Sequence, residues 1–186
     1  MAAYHVVMVH FPIALWLVAG LAIFIRAISM GPVAQTFDRA LPTLLVGGLV
    51  FGGLAWVLGL NVWPWETLSA TPMGRNHMLL ASWSWSYFAL LTWLRLRHGH
   101  AIWQGLNRLV MAGLAGIGVV FVGITGTLGG HLVGNYTEVG QILRLLGWEI
   151  YSTFYVPNLT LAVIVAVGVV MVVLGVLGRN ATPKAD

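Results

Sequence analysis

The sequence contains no cysteine and very few charged residues. Without cysteine there are no disulfides, thiolate metal sites, iron–sulfur clusters or covalent haem attachment through a CxxCH motif. Only 8% of the 186 residues are charged, whereas 59% are hydrophobic. A soluble domain carries about a quarter charged residues, so too few remain here to cover a surface in water. The composition therefore predicts an integral membrane protein.

Several sequence motifs of nucleotide-binding proteins and hydrolytic enzymes are also absent. The chain has no P-loop, no GxGxxG before a helix, no HExxH and no serine nucleophile with a base and orienter. Its nine Lys and Arg residues are scattered, so we expect no nucleic-acid partner. The start of the chain lacks a basic n-region and a small-residue cleavage site, and we expect the first helix to be retained. Whether the protein is an enzyme stays open, since any chemistry would belong to a cofactor or partner subunit.

Long apolar runs predict one transmembrane domain over residues 1–186 with about five spans. Each run is close to the ~20 residues that a helix needs to cross the hydrocarbon. Apolar residues at helical spacing over residues 139–150 predict a short interfacial helix in the fourth connection. The expected fold is thus an all-α bundle without a sustained internal repeat. The predicted spans are residues 6–28, 41–62, 78–96, 109–129 and 157–178.

The distribution of basic residues predicts the orientation of the chain. Lys and Arg concentrate on the cytoplasmic side of membrane proteins. They crowd the first and third connections and the tail, which places the N-terminus outside and the C-terminus inside. The residues concerned are Arg26, Arg39, Arg95, Arg97, Arg108, Arg179 and Lys184.

Four of the six histidines are expected at the outer leaflet. His5 and His10 begin the first span, His77 begins the third and His131 ends the fourth. Any one histidine near a helix end is most simply an interfacial anchor, but ionisable groups within spans usually mark function. Four from three spans predict a shared site, because neutral imidazole is a good ligand for haem iron, copper and zinc.

One or two b haems are the preferred occupant, because a haem needs imidazoles from opposing helices. His10 is the first candidate for an axial ligand, with His77 or His131 opposite. His5 is the weaker candidate, for a second haem or a propionate, and Arg75 lies beside His77 where it could pair with a propionate. All acidic residues are expected in connections or the tail, which disfavours zinc and di-iron sites. Glycines of the fourth span, among them Gly123 and Gly130, would let a macrocycle approach the backbone or serve ordinary helix packing.

The segment "VHFPIAL", from Val9 to Leu15, resembles a family of small bacterial membrane proteins that share the domain of unknown function DUF2231. The resemblance covers roughly residues 5–135, through "RNHMLL" and "GTLGGHLVG". Matching positions are His10, Pro12, His77 and the Gly129–Gly130 pair, whereas Val6 stands where the family often has proline. Some members lie beside cytochrome domains, and the resemblance implies the bacterial inner membrane.

The sequence as a whole predicts a haem b-binding electron-transfer subunit of a respiratory redox complex. It would move electrons between quinone and a periplasmic cytochrome or cupredoxin, in contact with lipid and other subunits. A haem supplies the redox chemistry, while the protein sets ligands and dielectric. Two alternatives stay open: a copper or zinc protein of the outer face, and a structural subunit without cofactor.

Overall fold

The computed structural model describes residues 2–152 and 158–181, and these residues are helical throughout apart from short turns. A 3-10 turn at Gly99–Trp103 follows the fourth helix. The helices are α1 (Ala2–Ile28), α2 (Pro32–Gly59), α3 (Trp65–Ser69), α4 (Pro72–His98), α5 (Asn107–Leu132), α6 (Glu138–Leu145) and α7 (Asn158–Ala181).

Proline and glycine set several helix ends. Pro32 and Pro72 occupy the first turns of α2 and α4, where a missing amide proton costs nothing and the ring favours helical φ. The Thr71 side chain caps α4 by accepting a hydrogen bond from the Gly74 amide at 3.1 Å. At the other end of α4 the chain turns at Gly99, whose φ of +53° is a conformation that favours glycine.

The chain is a helical membrane protein by the length and apolarity of its helices. Among the described residues, α1, α2 and α5 are long and apolar enough to cross a bilayer. Helix α4 is as long, but its serine, asparagine and arginine residues make it less apolar. The apolar stretch of α7 spans Ala162–Leu174. Each of the five predicted spans thus overlaps a long helix, although residues 60–62 of the second lie in the turn after α2 and residue 157 lies outside the described residues. A count of five spans is not confirmed.

Four helices make the body of the molecule. Helix α1 packs along α2 and α5, and α4 packs along the same two helices, so α1 and α4 lie diagonally across a four-helix bundle. Helix α7 packs on α5. The bundle core holds Trp16, Ile23, Leu41, Leu45, Phe88, Leu91, Met111 and Val122, all buried.

A short helix, α6, lies in the fourth connection as predicted, but it is shorter than expected. It ends at Leu145, and the chain then turns at Gly147, where φ is +89°. Leu143 and Ile150 are buried against the end of the bundle, whereas 87% of the Leu145 surface is exposed. One side of this connection therefore belongs to the protein core.

The expectation that every acidic residue lies in a connection or the tail is wrong for Asp38. Helix α2 begins at Pro32, well before the predicted span, and Asp38 lies buried on it. Its carboxylate is 3.0 Å from the Arg95 guanidinium and 3.8 Å from that of Arg26. Trp103 Nε1 donates to it at 2.9 Å, and His100 Nδ1 lies 2.9 Å away. Ion pairing and hydrogen bonding offset the cost of burying the charge.

Candidate functional site

A cavity of about 440 Å³ lies at the end of the bundle where α1 and α4 begin and α2 and α5 end. That volume is within the range of ligand pockets, roughly 300–1,000 Å³. Much of the wall is apolar and aromatic, with Trp16, Trp56, Trp63 and Trp85 among the lining residues. Three of the candidate histidines line the same cavity: His5, His10 and His77.

His5 projects from the first turns of α1 onto the end of α2. Its Nδ1 lies 2.9 Å from the carbonyl oxygen of Ala55. One turn further along α2, Gly59 leaves room for the ring: a Cβ at that position would lie 2.9 Å from His5 Cε1. The ring is thus held by a helix other than its own, and it is half-buried.

His77 is held in a closely similar way by α5. Its Nδ1 lies 3.1 Å from the carbonyl oxygen of Thr125. A Cβ at Gly129, one turn further along α5, would lie 2.9 Å from His77 Cε1. This ring is also half-buried.

His10 lies on α1 nearer to solvent or lipid than the other two. Its Nδ1 is 2.5 Å from the carbonyl oxygen of Val6, one turn earlier in the same helix. The residue as a whole is exposed, although it contributes to the cavity wall. Among the described residues, its ring is thus hydrogen-bonded within α1 and not to a neighbouring helix.

The three hydrogen bonds have one chemical consequence. A carbonyl oxygen accepts but cannot donate, so in each neutral imidazole the proton resides on Nδ1. The lone pair is then on Nε2, which is the ligand atom that a metal ion or haem iron takes from histidine. Anchoring of the opposite ring nitrogen by a carbonyl is also the usual arrangement behind a metal-binding histidine.

His131 lies elsewhere. It lines a separate cavity of about 220 Å³ beside α6, together with Tyr136 and Tyr151. Its Nδ1 is 2.7 Å from the hydroxyl oxygen of Tyr151, and both tyrosine rings meet it edge-on. The four histidines do not meet at one point, because Gly130 and Leu132 of the last turn of α5 line the main cavity, whereas His131 between them lines the other one.

The remaining predicted residues divide between the cavity wall and its surroundings. Gly126, Gly129 and Gly130 line the main cavity. Gly123 and Arg75 are exposed, and neither is among the described residues that form its wall. The distribution follows from helical spacing, since Gly123 lies on the outward face of α5.

Sequence reasoning missed the groups that orient the histidines. All three are backbone carbonyls, those of Val6, Ala55 and Thr125, and a backbone carbonyl is the same at every residue type. The tryptophans of the cavity wall are visible in the sequence, but it is the packing of the helices that brings them to one cavity. Within the part of the chain that the structure describes, no three His, Asp or Glu side chains lie close enough to share one metal ion.

Comparisons of the chain with protein-family models, curated proteins and solved structures found no match.

Proposed function

We propose that the protein is a haem b-binding electron-transfer subunit of a membrane redox complex in the bacterial inner membrane. The observation that carries the proposal is the set of three histidines on one aromatic cavity, each anchored through Nδ1 so that Nε2 is the free ligand atom. A b haem requires only two such nitrogens, from opposing helices.

The residues of the cavity fit such a group in two respects. Histidines come from α1 and from α4, which lie on opposite sides of the bundle. Glycines on α2 and α5 bring bare backbone close to the same space. When bound, a haem would supply one-electron redox chemistry at a potential tuned by its ligands and the apolar wall.

The alternative hypotheses, a zinc protein or a copper protein, have less support. A structural zinc site takes four protein ligands and a catalytic one takes three. No group of three or more candidate side chains occurs in the described parts of the chain. Copper coordinated by two imidazoles stays compatible with the anchored histidines, and a purely structural subunit would not need three rings with their Nε2 atoms free.

Orientation and partners belong to the same proposal. Arg26, Arg95 and His100 lie around Asp38, at the opposite end of the bundle from the cavity. The positive-inside rule would place that end in the cytoplasm and the cavity at the periplasmic face. Electrons would then pass between quinone and a periplasmic cytochrome or cupredoxin docked above the cavity, with other subunits and lipid around the bundle.

An absorption spectrum tests the proposal. The purified protein, expressed with haem available, should show a Soret band and a reduced alpha band of low-spin b haem, with iron in elemental analysis. Copper without haem bands would support the rival metal reading. A folded protein with neither, after reconstitution with haem, would overturn the function.

A further inference from the structure

Two stretches of sequence on different helices match one another. "GLVFGGLAWVLG" ends α2 at residues 48–59, and "GVVFVGITGTLG" lies on α5 at residues 118–129. Half of the aligned positions are identical, at a constant separation of 70 residues. The matching residues are Gly, Val, Phe, Gly, Leu and Gly in the same order. The expectation that the chain has no sustained internal repeat therefore needs correction.

The burial pattern repeats with the sequence. Four buried residues of α2 have buried counterparts on α5 at that same separation. Helices α1 and α4 show the same relationship at a separation of 72 residues, although their sequences differ. The buried pairs of α2 and α5 are Leu41 and Met111, Leu45 and Ala115, Gly48 and Gly118, and Gly52 and Val122. The buried pairs of α1 and α4 are Pro12 and Ser84, Trp16 and Phe88, Ala19 and Leu91, Gly20 and Thr92, and Ile23 and Arg95.

An aromatic contact also recurs at corresponding positions of the two halves, stacked in the first and edge-on in the second. Phe11 on α1 stacks on Phe51 of α2, with ring centroids 4.8 Å apart. At the corresponding positions, Trp83 on α4 meets Phe121 of α5, with centroids 6.0 Å apart. The α1–α2 pair (the first hairpin) and the α4–α5 pair (the second hairpin) are thus two copies of one unit.

The copies are related by an approximate twofold axis along the bundle. Helix α1 contacts α5 as α4 contacts α2, and both α1 and α4 begin at the cavity. The two copies therefore run in the same direction, as in membrane proteins built from parallel repeats. In the middle of the bundle the equivalent residues Trp16 and Phe88 face one another, and so they lie on or beside the axis.

The repeat makes His5 and His77 equivalent. They are 72 residues apart, like the other α1 and α4 pairs. Their carbonyl partners Ala55 and Thr125 are 70 residues apart, like the other α2 and α5 pairs. The position equivalent to His10 is Ser82, so His10 has no counterpart in the second hairpin.

Gly59 and Gly129 extend the equivalence to the space around the rings. They occupy corresponding positions on α2 and α5, and a Cβ at either would lie 2.9 Å from the Cε1 atom of the histidine beside it. Each half thus contributes an imidazole, the carbonyl that orients it and the glycine that makes room for it. A site built this way suits a group that takes one nitrogen ligand from each side.

We infer that the cavity is assembled across an internal twofold axis and that His5 and His77 are the matched pair of ligands, one from each hairpin, with His10 outside the ligand set. This inference rests on the proposed function, because it names the axial pair of the proposed haem. It goes beyond it in making the site a product of both repeats, so that neither hairpin binds the group alone.

The test uses full-length protein with single His→Gly substitutions at positions 5, 77, 10 and 131, each supplied with haem. Loss of one axial ligand converts a low-spin bis-histidine haem to high spin, visible in the absorption and electron paramagnetic resonance spectra. H5G and H77G should both become high-spin or lose haem, and added imidazole should restore the low-spin signal in both. H10G should stay low-spin, because both proposed axial ligands remain, and H131G, whose ring lies in the separate cavity beside α6, should keep the wild-type spectrum.

Rescue by imidazole shows that a variant is folded and lacks only the ligand. If H5G or H77G does not fold, H5M and H77M keep a side chain that can coordinate iron, and both should hold haem with an altered spectrum. Low-spin haem retained in H5G or in H77G, or lost in H10G, would overturn the ligand pair while leaving the function intact. A wild-type protein that takes up no haem would overturn both the proposed function and the ligand pair. The wild-type spectrum, recorded before any variant is made, distinguishes this outcome from failure of the ligand pair alone.

Discussion

Trp16 and Phe88 stack face to face in the centre of the bundle, with ring centroids 4.6 Å apart and planes inclined by only 7°. Trp16 comes from α1 and Phe88 from α4, so the stack joins the two hairpins across the bundle diagonal. Gly48 faces the first ring and Gly118 the second, leaving space for both. Trp16 also lines the cavity, so the stack supports the wall of the candidate site.

A double-mutant cycle on this stack should detect coupling between the hairpins. Trp16→Leu and Phe88→Leu each remove one ring, and we expect the double variant to lose less stability than the sum of the two. Stacked aromatic pairs contribute about 0.5–1.5 kcal/mol beyond their burial. Thermal or denaturant unfolding in detergent measures the coupling. Strict additivity would show that the two rings contribute only as separate apolar groups.

Alanine substitution of the two glycines beside His5 and His77 should have the same effect at both positions. In Gly59→Ala and Gly129→Ala the new methyl group would crowd His5 and His77 respectively, so each ring must shift from its carbonyl partner. We expect both variants to weaken cofactor binding and to broaden or shift the haem spectrum. Gly123→Ala is the control, because its Cβ would meet no described atom within 4 Å. Equal spectra for all three would mean that the rings are not held as described.

Asp38 should be essential for stability although it lies far from the cavity. Asp38→Asn removes the negative charge between the buried guanidinium groups of Arg26 and Arg95. Breaking a buried ion pair by removing one partner costs about 3–5 kcal/mol, so we expect a large fall in the unfolding temperature. Glu66→Gln, at an exposed position on α3, is the control and should unfold like the wild type. An Asp38→Asn protein of wild-type stability would show that the cluster contributes little.

Helix α6 offers a pair of leucines that differ in burial. Leu143 is 7% exposed and packs on the bundle end, whereas Leu145 is 87% exposed. Leu143→Ala should destabilise the protein by about 2–5 kcal/mol, as for other buried leucines. Leu145→Ala should change stability by less than about 0.5 kcal/mol. If only Leu145→Ala reduced recovery of a neighbouring subunit, the exposed side of α6 would bind that subunit while its buried side packs on the bundle.

The absence of cysteine makes the orientation directly testable. Single cysteines at Gln104, after the 3-10 turn, and at Leu145, at the end of α6, occupy exposed positions at opposite ends of the bundle. We expect an impermeant thiol reagent to label L145C in intact cells and Q104C only after the membrane is opened. The reverse pattern would place the cavity at the cytoplasmic face, and labelling from one side would contradict the alternating helices.

Much of the fold was predictable because the bilayer restricts what a chain can do. Long apolar runs must form helices to satisfy their backbone polar groups, and each predicted run lies on a helix of the structure. Helix ends were less predictable, since polar residues such as Asp38 can join a helix when arginines of other helices neutralise them. The extent of α2 thus depended on partners that are distant in the sequence.

The sequence predicted that the site contains histidines and at which end of the bundle it lies. It did not predict which of the histidines share the cavity. Direction reversal between successive spans brought His5, His10 and His77 to one end, and this followed from counting helices alone. That His131 lies apart depends on where the last turn of α5 points. The matching stretches on α2 and α5 were present in the sequence, yet their meaning emerged only from the burial and contacts of both hairpins.

Composition and hydrophobic pattern, then, determined by themselves that this chain is a helical membrane protein with four of its six histidines at one end, because both follow from the solvent and the order of the spans. Tertiary structure decided which imidazoles are anchored and how. The carbonyls of Ala55 and Thr125 are some 50 positions from the rings they orient. Backbone atoms have the same chemistry at every residue, so only the packing of α1 on α2 and of α4 on α5 could select them.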